Sequence, residues 1–287
     1  MKYNKGDRVK HPKRDDWGLG EVLADSDGGA VRIFFVEAGE KTLSLDIIQP
    51  ILVAGSEAAD PVLDNLKMDK SASGIKYQSL TESIQFFLKE YPEGFYGDKY
   101  KADERDYKLD AHDLASELLN KETFHSLLGQ KDHTEIRKRA LRVINKTNIV
   151  FQHEVMALNN GLDDEAVRGD FSISLYNLLY GEGAGLKQRF EAFSDVLGKA
   201  GADKWPVISY FLFIRFPDKY MFVKPTIMQH LSDLCRYEIN YKPQLNWLTY
   251  KRILEFSEHL FKRLSDLKPR DMIDIQSFMW CIAPKSN

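Results

Sequence analysis

The run WPVISYFLFIRFPDKYMFVKP, Trp205 to Pro225, decides the fold. It is the most apolar stretch of the chain, interrupted by Arg215 and closed by Phe216-Pro217. A bilayer span takes roughly 20 uninterrupted apolar residues, and Asp218 and Lys219 arrive too soon for one. The run therefore reads as a helix at the buried centre of a helical domain.

The flanking sequence carries the same period. Ser79-Leu-Thr-Glu82 has the spacing of a capping box and opens a helix through Ile84, Phe87 and Leu88, closed before Pro92-Glu93-Gly94. His112 to Leu128 places Leu114, Leu118, Phe124, Leu127 and Leu128 at helical intervals, which predicts one helix. Glu135 to Leu158 predicts two helices, or one broken near Thr147-Asn148. Asp163-Asp164-Glu165 starts a helix to Tyr180, Leu186 to Leu197 and Thr226 to Cys235 supply two more, and Asn246 to Leu264 is the cleanest amphipathic segment. Pro269-Arg-Asp271 opens a last helix through Ile275, Phe278 and Trp280. No internal repeat is visible, so a solenoid is not expected.

Upstream the pattern changes. Residues 54–78, AGSEAADPVLDNLKMDKSASGIKYQ, lose apolar periodicity and read as a linker with one helical turn near Val62 to Leu66. Residues 1–53 hold Val9, Val22, Val31, Ile33, Phe35 and Leu43 in short runs, several with period two, split by glycine-rich turns such as Asp27-Gly28-Gly29. The expectation is a small SH3- or Tudor-like β barrel over 1–53, a linker over 54–78 and a large all-α domain over 79–287. A barrel so short buries little surface alone.

Three segments of the barrel carry a resemblance: GDRVKHP (Gly6–Pro12), WGLGEVL (Trp17–Leu23) and VRIFFVEAGEKTLSL (Val31–Leu45). In that order they resemble a family of small bacterial domains, similar to the Tudor-like domain at the C-terminus of UvrD-type repair helicases. They are more distantly similar to the polymerase-interacting domains of CarD-type regulators and transcription-repair coupling factors. The resemblance implies docking onto a protein partner, RNA polymerase or repair machinery, sometimes with nucleic-acid contact. The chain departs from the helicase context, because it contains no GxxxxGK[ST] phosphate loop. The helical part, with GFYGDKY, ERDYK, NWLTY and PRDMIDIQSFMW, resembles an uncharacterised bacterial family and implies a shared fold only.

Docking needs surface. Trp17, Phe34 and Phe35 are the candidate partner-binding residues, and Phe34 and Phe35 must point to opposite sides of one strand. The competing reading makes one of them barrel core and the other a satellite contact. For nucleic acid the candidates are Lys10, Lys13 and Arg14 at the N-terminus, with Lys219, Lys224, Arg236, Tyr241 and Lys242 in the helical part, where cations interleave with aromatic rings. The bland alternative has those rings in the core and the cations as their solvated neighbours.

The catalytic patterns are thin. Asp106-Tyr-Lys108, with Asp98 upstream, has the D-x-K spacing of Mg²⁺-dependent nucleases, in which carboxylates hold the metal and the lysine faces the phosphate. That chemistry needs adjacent strands, whereas this segment lies among helices, so Glu104 to Lys108 reads better as a structural ion-pair cluster in a loop. A glycosylase-like helical fold is a fainter alternative, since the glycine-rich hairpin it requires is missing. His153-Glu154 is followed by Ala157 where a zinc motif needs histidine. Cys235 and Cys281 are too few for a disulfide framework.

Composition fits these choices. The chain is 43% hydrophobic and 29% charged with a net charge of −3, so bulk electrostatics do not drive it onto nucleic acid. MKYNKGDRVKHPKRDDWG has no apolar signal core, which gives a cytoplasmic expectation. The functional expectation is a non-catalytic adaptor docking on a nucleic-acid-processing machine such as RNA polymerase, with no cofactor. The alternative is a DNA-acting enzyme, with Mg²⁺ under the nuclease form only.

Overall fold

The β-rich N-terminal runs fold into a five-stranded antiparallel sheet. In the computed structural model, which describes residues 2–68 and 74–284, the strands are β1 (Arg8–Lys10), β2 (Leu19–Val22), β3 (Ala30–Phe35), β4 (Gly39–Ser44) and β5 (Ile51–Val53). Their order is β4-β3-β2-β1-β5, with β1 central enough to pair both β2 and the returning β5. Val9 lies opposite Gly20 on one side and Leu52 on the other.

Alternation along β3 sorts its side chains. Val31, Ile33 and Phe35 join Tyr3, Val9, Val22 and Leu43 in one cluster. Phe34 faces away and packs with Leu19, Leu23 and Leu63. That second face is covered from the stretch expected to be a linker. Leu63, in a 3₁₀ turn Leu63–Asn65, packs there together with Leu66 and Tyr77. The Tyr77 ring meets the Phe34 ring edge-on at 4.9 Å, and its hydroxyl donates to the Val36 carbonyl. Gly39 permits this approach: its φ is +68°, and a Cβ there would sit 2.9 Å from a Tyr77 ring carbon. The expected helical turn is thus present, but inside a packed layer. Residues 69–73 of the expected linker lie outside the described residues.

The chain divides into two compact units. The described residues of the first fall within Met1–Glu90, Gln229–Glu238 and Ile282–Asn287. Besides the sheet it holds α1 (Leu80–Glu90), opened by the predicted capping box: Glu82 N–H donates to Ser79 Oγ at 3.2 Å and Ser79 N–H to Glu82 Oε2 at 2.8 Å. A bridge between Leu66 and Tyr237 and an ion pair from Lys67 to Asp233 at 2.6 Å fasten the covering stretch to residues 229–238.

The second unit, Tyr91–Met228 with Ile239–Cys281, is helical. Its chain runs through α2 (Asp98–Tyr100), a π-helical stretch Lys101–Arg105 and α3 (Asp106–Leu118). Then come α4 (Lys121–Gly129), α5 (His133–Ile144), α6 (Gln152–Gly161), α7 (Glu165–Tyr180), α8 (Leu186–Lys199) and α9 (Trp205–Arg215). After α10 (Pro225–Leu234), which reaches into the first unit's residues, follow α11 (Trp247–Arg263) and α12 (Met272–Ile282). The single helix expected over His112–Leu128 is two, because Asn120 stops it: its Oδ1 accepts from Thr123 N–H at 2.8 Å and caps α4.

The apolar run forms α9, with every residue from Trp205 to Ile214 buried. Each fully buried large side chain contributes about 1.5–3 kcal/mol. Its polar groups are all engaged. Trp205 Nε1 donates to the Lys242 carbonyl at 3.0 Å, and Tyr210 hydroxyl to the Val143 carbonyl at 2.9 Å. Ser209 Oγ donates to the Trp205 carbonyl at 2.6 Å and accepts from Val223 N–H at 2.9 Å. Among the described residues no helix is long and apolar enough to cross a membrane.

Candidate ligand site

The helical unit contains a cleft of about 900 Å³, a size suited to a small ligand. One wall is the α5–α6 connection, Asn145 to Gln152; the π-helical stretch adds Asp103 and Glu104, α3 adds Tyr107, and α12 adds Gln276 and Trp280. Phe222 and Lys224 complete it. The wall is held from the core: Thr147 Oγ1 donates to Tyr210 Oη at 3.2 Å, so α9 fixes the connection.

Beneath the cleft lies a buried ionic network. Arg105 grips Asp271 through both terminal nitrogens, at 2.9 and 2.7 Å, and reaches Asp274 at 2.9 Å. Asp274, wholly buried, also accepts from the Tyr100 hydroxyl at 2.8 Å, from the Arg270 side chain at 2.9 Å and from Arg270 N–H at 2.8 Å. Lys108, equally buried, donates to Glu104 at 3.0 Å and to Ser277 at 2.8 Å. Burial pulls the Lys108 ammonium below its usual range, and Glu104 opposes that pull. Arg105, Lys108 and Arg270 thus face Glu104, Asp271 and Asp274, a closed and self-neutralising set. The arrangement holds α3 to α12.

The expected ion-pair cluster is therefore present, but in a helix rather than a loop. The π-helical geometry supplies the reason. One residue is accommodated out of α-helical phase, which turns Arg105 inward toward α12 while Asp106 stays exposed.

The structure does not gather the nuclease set. Asp98 is fully exposed and pairs with Lys101 at 3.0 Å, Asp106 is exposed at the start of α3, and Lys108 is sealed in the core. Two apart on one helix, Asp106 and Lys108 cannot share a face. Among the described residues, no three His, Cys, Asp or Glu side chains are grouped to hold a metal ion.

Of the docking candidates, Phe35 is fully buried and Phe34 is 5% exposed. Trp17 is half-buried, packed on Phe35 at 5.2 Å and His11 at 4.8 Å, with Arg14 and Lys41 over its ring. Exposed apolar side chains of this unit lie elsewhere: Ile47, Ile51 and Leu52 about the sheet, 79%, 55% and 46% exposed, and Met68 and Phe86 outside it, 50% and 52% exposed.

The basic candidates fall in both units. Lys10, Lys13 and Arg14 are exposed, with Arg14 held by Asp16 at 2.7 Å. Arg236 belongs to the first unit as well, in a left-handed conformation with φ of 53°. In the helical unit Lys219 is exposed beside Asp218 at 3.6 Å, Lys242 is exposed, Tyr241 is half-buried, and Lys224 faces the cleft. Tyr210, Tyr237 and Tyr250 are core residues.

Sequence reasoning missed Gln276 and Trp280. The signal was available in MIDIQSFMWCI, where Asp274, Gln276 and Ser277 interrupt an apolar helix and each requires a partner.

Residues 3–53 match a family described as "Protein of unknown function (DUF3553)". The match marks a small N-terminal domain and ends with β5. Searches of curated proteins and of solved structures return no match to the chain.

Proposed function

We propose that the protein is a non-catalytic adaptor whose N-terminal sheet docks a protein partner by accepting an extended segment along β5. One observation carries this reading: β5 is an edge strand, and its two successive residues Ile51 and Leu52 are both substantially exposed. Among the described residues no hydrogen bond continues the sheet past β5. Sheet edges are normally blunted by shortness, charge, proline or a covering element; β5 is short, three residues after Pro50, and carries no charge. An uncharged apolar edge, with Ile47 exposed nearby, suits strand addition, in which backbone bonds give affinity and side chains on alternate faces give selectivity. The resemblance of Gly6–Leu45 to the Tudor-like domain of UvrD-type helicases makes RNA polymerase the first partner to test.

The docking surface is then β5 rather than the rings of Phe34 and Phe35, which the fold uses internally. The test is binding of purified RNA polymerase to the full chain and to its Ile51→Lys, Leu52→Lys double variant. The expected result is a loss of at least about tenfold in affinity, since lysines on an edge block strand addition, with the thermal midpoint preserved because both residues are exposed. Equal binding by both proteins refutes the edge; no binding by either refutes polymerase as the partner.

A further inference from the structure

The backbone register of β1 decides what the β5 edge can hold. Residues that face each other in an antiparallel pair alternate between exchanging two hydrogen bonds and exchanging none. Val22 N–H donates to the Asp7 carbonyl at 2.9 Å, so Asp7 and, two residues on, Val9 turn their backbone groups toward β2. Arg8 and Lys10 therefore turn theirs toward β5, where they face Val53 and Ile51. Leu52, between those two, sends its N–H and carbonyl away from the sheet. Ala54 is still extended and points the same way before the 3₁₀ turn Gly55–Ala58. Toward the other end the edge closes: Pro50 has no N–H, and its carbonyl accepts from the Tyr3 hydroxyl at 2.7 Å. The open backbone groups are few, and they centre on Leu52.

The neighbours of β5 differ in charge. Ile51 shares a face with Lys10 directly beside it, and Lys10 is exposed and makes no ion pair among the described residues. Val53 sits beside Arg8 on the same face, but the Arg8 guanidinium is already held by Glu21, by Asp64 and by the Ala58 carbonyl. With strands about 4.8 Å apart, a residue on the outer side of Ile51 has its Cα about 10 Å from that of Lys10, within the joint reach of lysine and glutamate side chains. We infer that the segment accepted at β5 runs antiparallel to it, with an apolar residue opposite Leu52 and a glutamate directly after that residue, opposite Ile51. The apolar residue covers the Leu52 side chain, which is 46% exposed, and the glutamate meets Lys10. Antiparallel bonds run straight across rather than slanted, an advantage that matters most where the paired stretch is short. The assignment rests on strand addition at β5 and specifies the sequence that the edge selects.

The experiment is selection of a random heptapeptide library, displayed on phage, against the full chain. The enriched peptides are then made synthetically and titrated against the chain and its variants. The expected consensus is an apolar residue followed by glutamate. Leu52→Pro should weaken these peptides at least about tenfold. Its unfolding midpoint should be preserved, because the N–H it removes bonds nothing within the sheet and edge strands admit proline. Lys10→Glu, which leaves the backbone untouched, should weaken them at least about threefold, the scale of an exposed ion pair. It should leave versions carrying glutamine in place of the glutamate unaffected. Some peptides will need the edge if they lose affinity for the Ile51→Lys, Leu52→Lys double variant. If those peptides show no acidic preference after the apolar position, or bind Leu52→Pro at wild-type strength, the assignment falls and strand addition stands. Enrichment of nothing, or of peptides that bind the double variant equally well, overturns both.

Discussion

Asp274 is the residue on which the helical unit's polar interior depends. It accepts from Tyr100, Arg105 and Arg270 with no exposure to water. Asp274→Ala removes the carboxylate that Arg105, Arg270 and Tyr100 share, although Arg105 keeps Asp271 and Arg270 keeps the Phe95 carbonyl; breaking a buried pair from one side costs about 3–5 kcal/mol, and the remaining partners set the loss at the lower end. Urea unfolding of the variant should show that loss; a change within error would mean that water replaces the carboxylate. A second residue-scale prediction concerns Cys235, whose thiol burial pushes from its ordinary 9.0 up to about 12. The folded chain then holds this proton in a range where the unfolded chain has released it. The associated stability is complete below pH 9.0 and is lost as pH rises toward about 12. A pulse of iodoacetamide near pH 8 should label Cys235, which is partly buried, more slowly in the folded chain than in urea, because the thiolate is the nucleophile. Equal labelling in both states would contradict the burial.

At the scale of elements, the sequence was most legible where one physical rule acted alone. The Ser79–Glu82 capping box, the end of α7 at Tyr180 and the closure of α9 at Phe216-Pro217 follow from local chemistry, and the structure has all three. The opposed facings of Phe34 and Phe35 follow from strand geometry alone. Legibility failed where a partner distant in sequence decided the outcome. Nothing near Leu63, Leu66 and Tyr77 announces that they cover a sheet, since their periodicity is weak and their partner Phe34 lies far upstream. The π-helical turn at Lys101–Arg105 is paid for by contacts of Arg105 with Asp271 and Asp274, which no local pattern contains. The cleft was illegible for the same reason: Asn145–Gln152, Lys224 and Gln276 meet only after folding. Truncation is affected directly. Removing residues 1–53 strips the sheet from Leu63, Leu66 and Tyr77 and exposes them, so point changes on β5 probe docking more cleanly than deletion does.

For the whole molecule, the two units divide the chemistry. The first offers an open apolar strand edge, and the second ties Arg105, Lys108, Arg270, Asp271 and Asp274 together in its interior while Asp103, Glu104 and Lys224 line a cleft. The proposed adaptor reading rests on the first of these surfaces. Its central claim is that a partner strand pairs with β5. The most direct test is deuterium exchange of the full chain with and without saturating polymerase. The account predicts that slowed exchange is concentrated in residues 47–53, because backbone amides of an edge strand gain partners there. Protection confined to β4 or to the helical unit, with residues 47–53 unchanged, would contradict it.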